Sequence, residues 1–362
     1  MFIGHSFHFY CILFEVPVKL GQVHIAPFYL FETGTGVKMK RGIRHLICIL
    51  IIFVFAGCGM VKMLQEQNRG QKDHNPSDYG IRPPQHSKRH VRYATAESSR
   101  KHQELDVYWN ESRTPQPVAI VIHGGGWMAG SKDDNNNQRI AWYVADQGYI
   151  TFNVDYRLIP MHAVEDCVKD VFGAIIWAKE HASEFGGNPN RVGVVGFSAG
   201  GHLAAMVAVA GDKMDIFPPT GNAGSKYDAS VLAAVDFYGA YNMLSAPPDI
   251  FPMPMWMNRT FWRFVFSGNP GDKAEYGKKI SPITYISDKT PPQLVVCGEA
   301  DSFKMYPQSV EYVAALKKSG RPVGFISVKN ADHAFNFNYW TPEAQMANKA
   351  MITYLDRYLK VN

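Results

Sequence analysis

The sequence predicts an α/β protein built on one mostly parallel sheet with helices on both faces and a small cap or insertion. Three observations carry this expectation. Apolar, β-rich runs such as Val118–Ile122 and Val192–Phe197 recur without polar alternation, as strands covered on both faces require. Segments with apolar residues at helical spacing separate those runs. The alternation of the two continues from about residue 100 to the end of the chain, and no internal repeat accompanies it.

In chain order, Leu105–Tyr108 alternates like an early strand and Val118–Ile122 is the first fully apolar one. A helix is expected near 136–147, then a strand over 149–154. Residues 163–183 place Val164, Val168, Val171, Ala174, Ile175 and Ala178 on one helical face. Val192–Phe197 is the next strand and Gly200–Ala210 the helix after it. Strands return at 231–237, 293–297 and 323–328, with helices near 307–319 and 342–358. Residues 211–228 and 241–285 break the rhythm. The second stretch holds Pro247, Pro248, Pro252 and Pro254 among many aromatic residues, too proline-rich for one regular element. It is expected to cap the site, with Trp256, Phe261 and Trp262 joining Trp127 as walls of a substrate pocket. The alternative is that these rings only pack the insertion onto the body.

The catalytic body is expected over 93–362, preceded by a polar tether at 58–92. Upstream, Met39–His45 is basic, Leu46–Phe55 apolar and Ala56-Gly57-Cys58 small, the order of a secretory signal. The apolar run is about half the ~20 residues that a spanning helix needs. Phe55-Ala56-Gly57-Cys58 resembles a bacterial lipoprotein signal. That resemblance implies a signal segment at 39–57, lipidation of Cys58 and membrane attachment through that anchor. With no acidic residue at Gly59, it implies the cell envelope, at the outer membrane, with a periplasmic or secreted protein as the alternative. Residues 1–38 then read as a start-site artefact, with Met39 the start.

The net charge is +5, from 37 basic and 32 acidic residues. Five of the basic residues and only two acidic ones precede residue 58, so the rest is nearly balanced and gives no nucleic-acid footprint. Of five cysteines, Cys11, Cys48 and Cys58 lie in the leader; Cys167 and Cys297 read as small buried hydrophobes. There is no CxxC and no zinc-like cluster, and neither a metal nor an organic cofactor is expected.

Gly196-Phe197-Ser198-Ala199-Gly200 joins a strand directly to a helix. Such an elbow needs small neighbours because the nucleophile sits on a strained turn, and it places Ser198 where helix N–H groups favour developing negative charge. His123-Gly124-Gly125-Gly126-Trp127 follows the 118–122 strand. Three consecutive glycines cost entropy and pack nothing, so their use is close approach of backbone to a reacting oxygen. The N–H groups of Gly125, Gly126 and Ala199 are therefore the expected oxyanion donors, with His123 and Trp127 supporting the loop. His333 follows the 323–328 strand and is the expected base. Asp301, after the 293–297 strand, is the expected orienting carboxylate, with Glu299 and Asp332 as local competitors. His202, one turn into the helix after Ser198, reads as structural.

These motifs, together with Asp155-Tyr156-Arg157, Phe185–Arg191 and Gly298-Glu299-Ala300-Asp301, resemble the α/β-hydrolase fold of the hormone-sensitive-lipase-like esterases. The likeness is to their bacterial acetyl-xylan and feruloyl esterase-like carboxylesterase branch. The resemblance implies that Asp155 and Arg157 support the site, and that short acyl esters, such as acetyl or feruloyl groups on sugars or xylan, are the substrates. The expected chemistry is serine ester hydrolysis in the order Ser198, Asp301, His333. The alternatives are an arylformamidase or amidase with the same triad, and a non-catalytic surface-binding protein on this scaffold.

Overall fold

The short apolar runs form strands because their side chains are buried on both faces. In the computed structural model, which describes residues 74–94, 102–221, 224–251, 254–268 and 272–360, eight strands make one sheet. They are β1 (His86–Arg92), β2 (Glu104–Trp109), β3 (Gln116–Ile122), β4 (Ile150–Val154), β5 (Gly187–Phe197), β6 (Ala233–Phe237), β7 (Gln293–Gly298) and β8 (Val323–Val328). Their spatial order is β1-β2-β4-β3-β5-β6-β7-β8. The pairs β1/β2 and β2/β4 are antiparallel; every pair from β4 across to β8 is parallel. All residues of β3, β4, β6 and β7 are buried, which is why these segments show no alternation.

Seven α-helices are described: α1 (Asn135–Asp146), α2 (Val164–His181), α3 (Ala199–Ala210), α4 (Met255–Val265), α5 (Lys273–Lys279), α6 (Met305–Lys318) and α7 (Pro342–Leu359). Helix α3 is buried at every position, as its Gly/Ala/Val-rich sequence demands. Helices α4 and α5 divide the proline-rich 241–285 insertion into two elements. No described helix is long and apolar enough to cross a membrane.

One boundary differs from expectation. The expected tether runs to residue 92, yet residues 74–92 are docked on the body. His74 stacks on Trp340 at 5.3 Å, and Tyr79 packs on Tyr339 at 5.5 Å. Strand β1 is almost wholly exposed, so it carries no apolar signal; main-chain pairing to β2 and a buried carboxylate hold it instead. Asp106 accepts from the His90 N–H at 2.8 Å and from Arg89 Nε at 3.0 Å. The signal segment, Cys58 and the rest of the tether lie outside the described residues.

Candidate active site

Strand β5 ends at Phe197 and α3 begins at Ala199. Ser198 lies between them at φ 56° and ψ −116°, a strained conformation costing about 1–3 kcal/mol. Tight backbone packing holds it there. The Ser198 N–H donates to Phe237 O at 2.9 Å, and a Cβ at Gly200 would lie 2.3 Å from Ile122 O. Ser198 is partly exposed between two buried neighbours. The Ala199 N–H belongs to the first turn of α3 and has no partner within the helix.

The glycine loop abuts this elbow. A Cβ at Gly124 would lie 2.8 Å from Phe197 O and 3.3 Å from the Ser198 Cβ, so only glycine lets the two backbones meet. Gly125 has φ 119°, open to glycine alone, and its carbonyl accepts from the Met128 and Ala129 N–H groups at 3.1 and 3.0 Å. Among the described residues the N–H groups of Gly125 and Gly126 donate to no protein acceptor, and both glycines are partly exposed. Unspent donors beside a half-open serine make an anion-stabilising concavity.

His333 and Asp301 meet as expected. Nδ1 of His333 lies 2.8 Å from Asp301 Oδ2, with both side chains buried. The other carboxylate oxygen accepts from the Phe303 N–H at 2.9 Å, which fixes its plane. The competitors are committed elsewhere. Glu299 accepts from the Ser327 hydroxyl at 2.6 Å, and Asp332 accepts from the Ser302 and His333 N–H groups at 2.7 and 2.6 Å. The imidazole packs on Tyr238 at 4.5 Å, and Ser198 bonds to the preceding residue, Phe237. Serine and histidine thus flank the same dipeptide at the carboxyl end of β6, where ligands gather in open α/β sheets.

The supporting residues form one buried network. The His123 ring stacks on Tyr156 at 4.3 Å, with Nε2 at 3.5 Å from Asp155 Oδ1 and Nδ1 at 2.7 Å from Gly124 O. Burial lowers the His123 pKa to about 4 and pushes Asp155 up to about 6, although the Lys132 N–H donates to Asp155 at 2.6 Å. Arg157 binds Asp170 through Nε at 2.7 Å and Nη2 at 2.8 Å, a paired grip that pins the segment after β4 to α2. His202 is buried, accepting from the Trp127 indole at 3.2 Å and facing Ile280 O at 2.8 Å.

Of the four expected pocket walls, Trp127, expected also to support the loop, is 3% exposed with its indole N–H spent on His202, so it braces the loop and is no wall. Phe261 stacks on Trp127 at 6.3 Å and reaches within 3.7 Å of a Cβ position at Gly126. Trp262 donates to Pro247 O at 3.2 Å and packs the insertion together, while Trp256 is 48% exposed. Sequence reasoning missed Phe251 and Phe303, which sit between these elements. Phe303 was detectable as the aromatic residue two positions past Asp301; Phe251 had no local signal.

His90, Asp106 and Asp133 are spaced like metal ligands, but the Lys132 ammonium already lies among them. Its Nζ is 3.2 Å from Asp106 Oδ1, 3.1 Å from Asp133 Oδ2 and 3.0 Å from His90 Nδ1. That cation neutralises the cluster, so the donor set does not fit a metal. Although burial pushes Asp106 up, the His90 N–H, Lys132, Tyr108 and Arg89 together hold it below the usual carboxylate range.

A family model described as BD-FAE matches residues 105–316. Esterase LipQ of Mycobacterium tuberculosis is 29% identical over 255 residues, covering 69% of this chain and 58% of its own length. The probable carboxylic ester hydrolase LipM of the same organism is 32% identical, covering 61% of this chain and 49% of its own. The chain spans about half the length of the curated relatives it matches. Among solved structures, Esterase B from Lactobacillus Rhamnosis superposes with a TM-score of 0.68 at 22% identity, over 86% of this chain and 96% of its own. A truncated carbohydrate esterase from gut microbiota gives 0.66 at 24%, over 77% of this chain and all of its own. These likenesses fix the fold as that of an α/β-hydrolase.

Proposed function

The chain belongs to the BD-FAE family, and from that premise we propose that it is a serine carboxylic-ester hydrolase acting on short-chain acyl esters. The observation that carries the reading is the buried Asp301–His333 pair at 2.8 Å beside a strained, partly exposed Ser198. His333 takes the Ser198 hydroxyl proton at Nε2 as Oγ bonds to the acyl carbon, while Asp301 holds the ring through Nδ1. The carbonyl oxygen becomes an oxyanion facing the N–H groups of Gly125, Gly126 and Ala199. The C–O bond to the alcohol then breaks, and the leaving oxygen takes the proton from His333. Water, deprotonated by the same histidine, attacks the acyl-enzyme and frees the acid and Ser198.

Acetyl or feruloyl groups on sugars are the substrates we assign. The experiment is hydrolysis of acetyl, butyryl, feruloyl and octanoyl esters by the full chain, with Ser198→Ala as control. Preference for acetylated or feruloylated sugars supports the reading, and dominant octanoyl cleavage refutes the substrate class. Faster turnover of formamides than of esters assigns the arylformamidase alternative. Binding without turnover, unaltered by Ser198→Ala, assigns the surface-binding one. We further place the protein on the bacterial cell envelope through lipid on Cys58. Cys58→Ser then moves it from the detergent phase to the aqueous phase.

A further inference from the structure

The imidazole of His333 is in contact with two aromatic rings of different standing. Tyr238 is fully buried, and its hydroxyl donates to Asn336 Oδ1 at 2.5 Å, so it belongs to the scaffold. Phe303, centred 4.3 Å from the imidazole, is only partly buried. From Phe303 an unbroken aromatic series crosses the site. Phe303 meets Phe251 edge-on at 4.9 Å and 77°, and Phe251 meets Phe261 at 4.8 Å and 86°. Both Phe251 and Phe261 stand 3.7 Å from the Cβ position of Gly126. The series therefore runs from the base to the oxyanion loop.

We propose that Phe303 and Phe251 form the alcohol-side specificity wall, selecting esters whose alcohol carries a six-membered ring with a flat apolar face. The inference rests on the serine-esterase reading and deepens it. In acylation the leaving oxygen takes its proton from His333, so the first atoms of the alcohol must lie against whatever covers that imidazole on its open side. That cover is Phe303. Two rings set nearly perpendicular present one face and one edge to a neighbour, the arrangement that stacks an aryl ring or the C–H face of a pyranose.

The wall is held in place from the backbone. The Asn258 side chain clamps Phe251 from both directions, accepting from its N–H at 2.9 Å and donating to its carbonyl at 3.1 Å. Asn258 is itself fully buried. The Phe303 N–H is spent on Asp301, and the next residue, Lys304, forms an ion pair with Asp249, two positions before Phe251. The insertion and the acid loop are thus joined where the two rings meet. Ring positions fixed before substrate arrives lose little entropy on binding.

The test varies the alcohol at constant acyl group and then the acyl group at constant alcohol. The full chain, Phe251→Ala and Phe251→Leu are assayed with ethyl acetate, phenyl acetate and an acetylated methyl xyloside, then with ethyl butyrate. Each comparison is a ratio of kcat/KM values on one preparation, so a partly folded variant does not blur it. The expected result is a fall of about tenfold or more in the ring-to-ethyl ratio for both variants, with the acetyl-to-butyryl ratio unchanged. The phenyl and xyloside arms separate an aryl alcohol from a sugar as the natural ring. An unchanged ring-to-ethyl ratio, or a change confined to the acyl series, overturns the proposal. Loss of the esterase reading shows differently, as no Ser198-dependent turnover of any ester by the unsubstituted chain.

Discussion

His202 makes acid sensitivity a property of the scaffold beneath the site. Its Nδ1 accepts from the Trp127 indole, so the neutral ring carries its proton on Nε2 and donates to Ile280 O. Burial lowers its pKa to about 4 from 6.5. The unfolded imidazole gains its proton near 6.5 and the folded one only near 4. Between these values the unfolded state binds more protons, so stability falls as pH falls through that window and is fully present above it. The gap corresponds to about 3 kcal/mol below pH 4, most of it already lost at about pH 4.5. His123 has the same sign, whereas Asp155, pushed up to about 6, adds stability as pH falls. The bare acid limb therefore mixes several groups, Asp236 and the lowered carboxylate of Asp106 among them, and substitution isolates one. His202→Gln keeps an acceptor for Trp127 and a donor for Ile280 but does not titrate. Urea unfolding at about pH 7.5 and about 4.5 is expected to show the unsubstituted chain losing about 2–3 kcal/mol more than the variant. Equal losses refute the account of His202 as a buried neutral imidazole.

Three more outcomes follow from the same geometry. Gly125→Ala would place a Cβ 2.0 Å from Ala129 O at φ 119°, and is expected to lower ester turnover about a hundredfold or more. Gly126→Ala, at φ 60° with 3.7 Å of clearance, is expected to fold at a cost of about 1–2 kcal/mol; paired melting and kinetic measurements check the contrast. Asp301→Asn is expected to reduce kcat by about 10⁴, while Glu299→Gln and Asp332→Asn each change it less than about tenfold in steady-state assays. Asp236 is buried on β6 with neither carboxylate oxygen partnered among the described residues, and burial raises its pKa far above 3.8. The folded state then holds a proton that the unfolded state releases, so stability falls as pH rises past about 4. Asp236→Asn is expected to stabilise the fold, more at about pH 8 than at about pH 5, by denaturant titration.

Most of the sheet was legible because buried parallel strands carry their own signal: Val118–Ile122 and Val192–Phe197 lack polar residues and stand next to glycine turns. The elbow and the Asp301–His333 pair were legible for a related reason, since each follows such a strand. Strand β1 was not, because its pairing uses main-chain bonds and the buried groups that hold its side chains, Asp106 and Lys132, lie on other segments. The sequence places Trp127 at the loop but leaves open whether it supports the loop or also lines the pocket, because sequence position gives a residue's neighbourhood but not the direction of its ring. The indole turns inward since His202, 75 positions later, offers an acceptor there. Phe251 and Phe303 are 52 residues apart and became neighbours only through the Asn258 clamp and the Lys304–Asp249 pair.

What escaped the sequence is therefore mainly the set of contacts that aim the catalytic loops. A glycine-rich loop has little packing of its own, so its orientation must be imposed by the residues beside it. Here that support comes from two sides. Below, His123 reaches Asp155, whose carboxylate takes the Lys132 N–H, and the buried Lys132 ammonium is neutralised by Asp106 on β2. A lone ammonium at that depth would cost several kcal/mol, so the carboxylate on the antiparallel edge is a condition for keeping Lys132 buried there. Beside the loop, Trp127 ties it to His202 on α3 and, through Phe261, to the insertion. The antiparallel strands β1 and β2 and the insertion contribute no reacting group, yet together they fix where the Gly125 and Gly126 donors stand relative to Ser198.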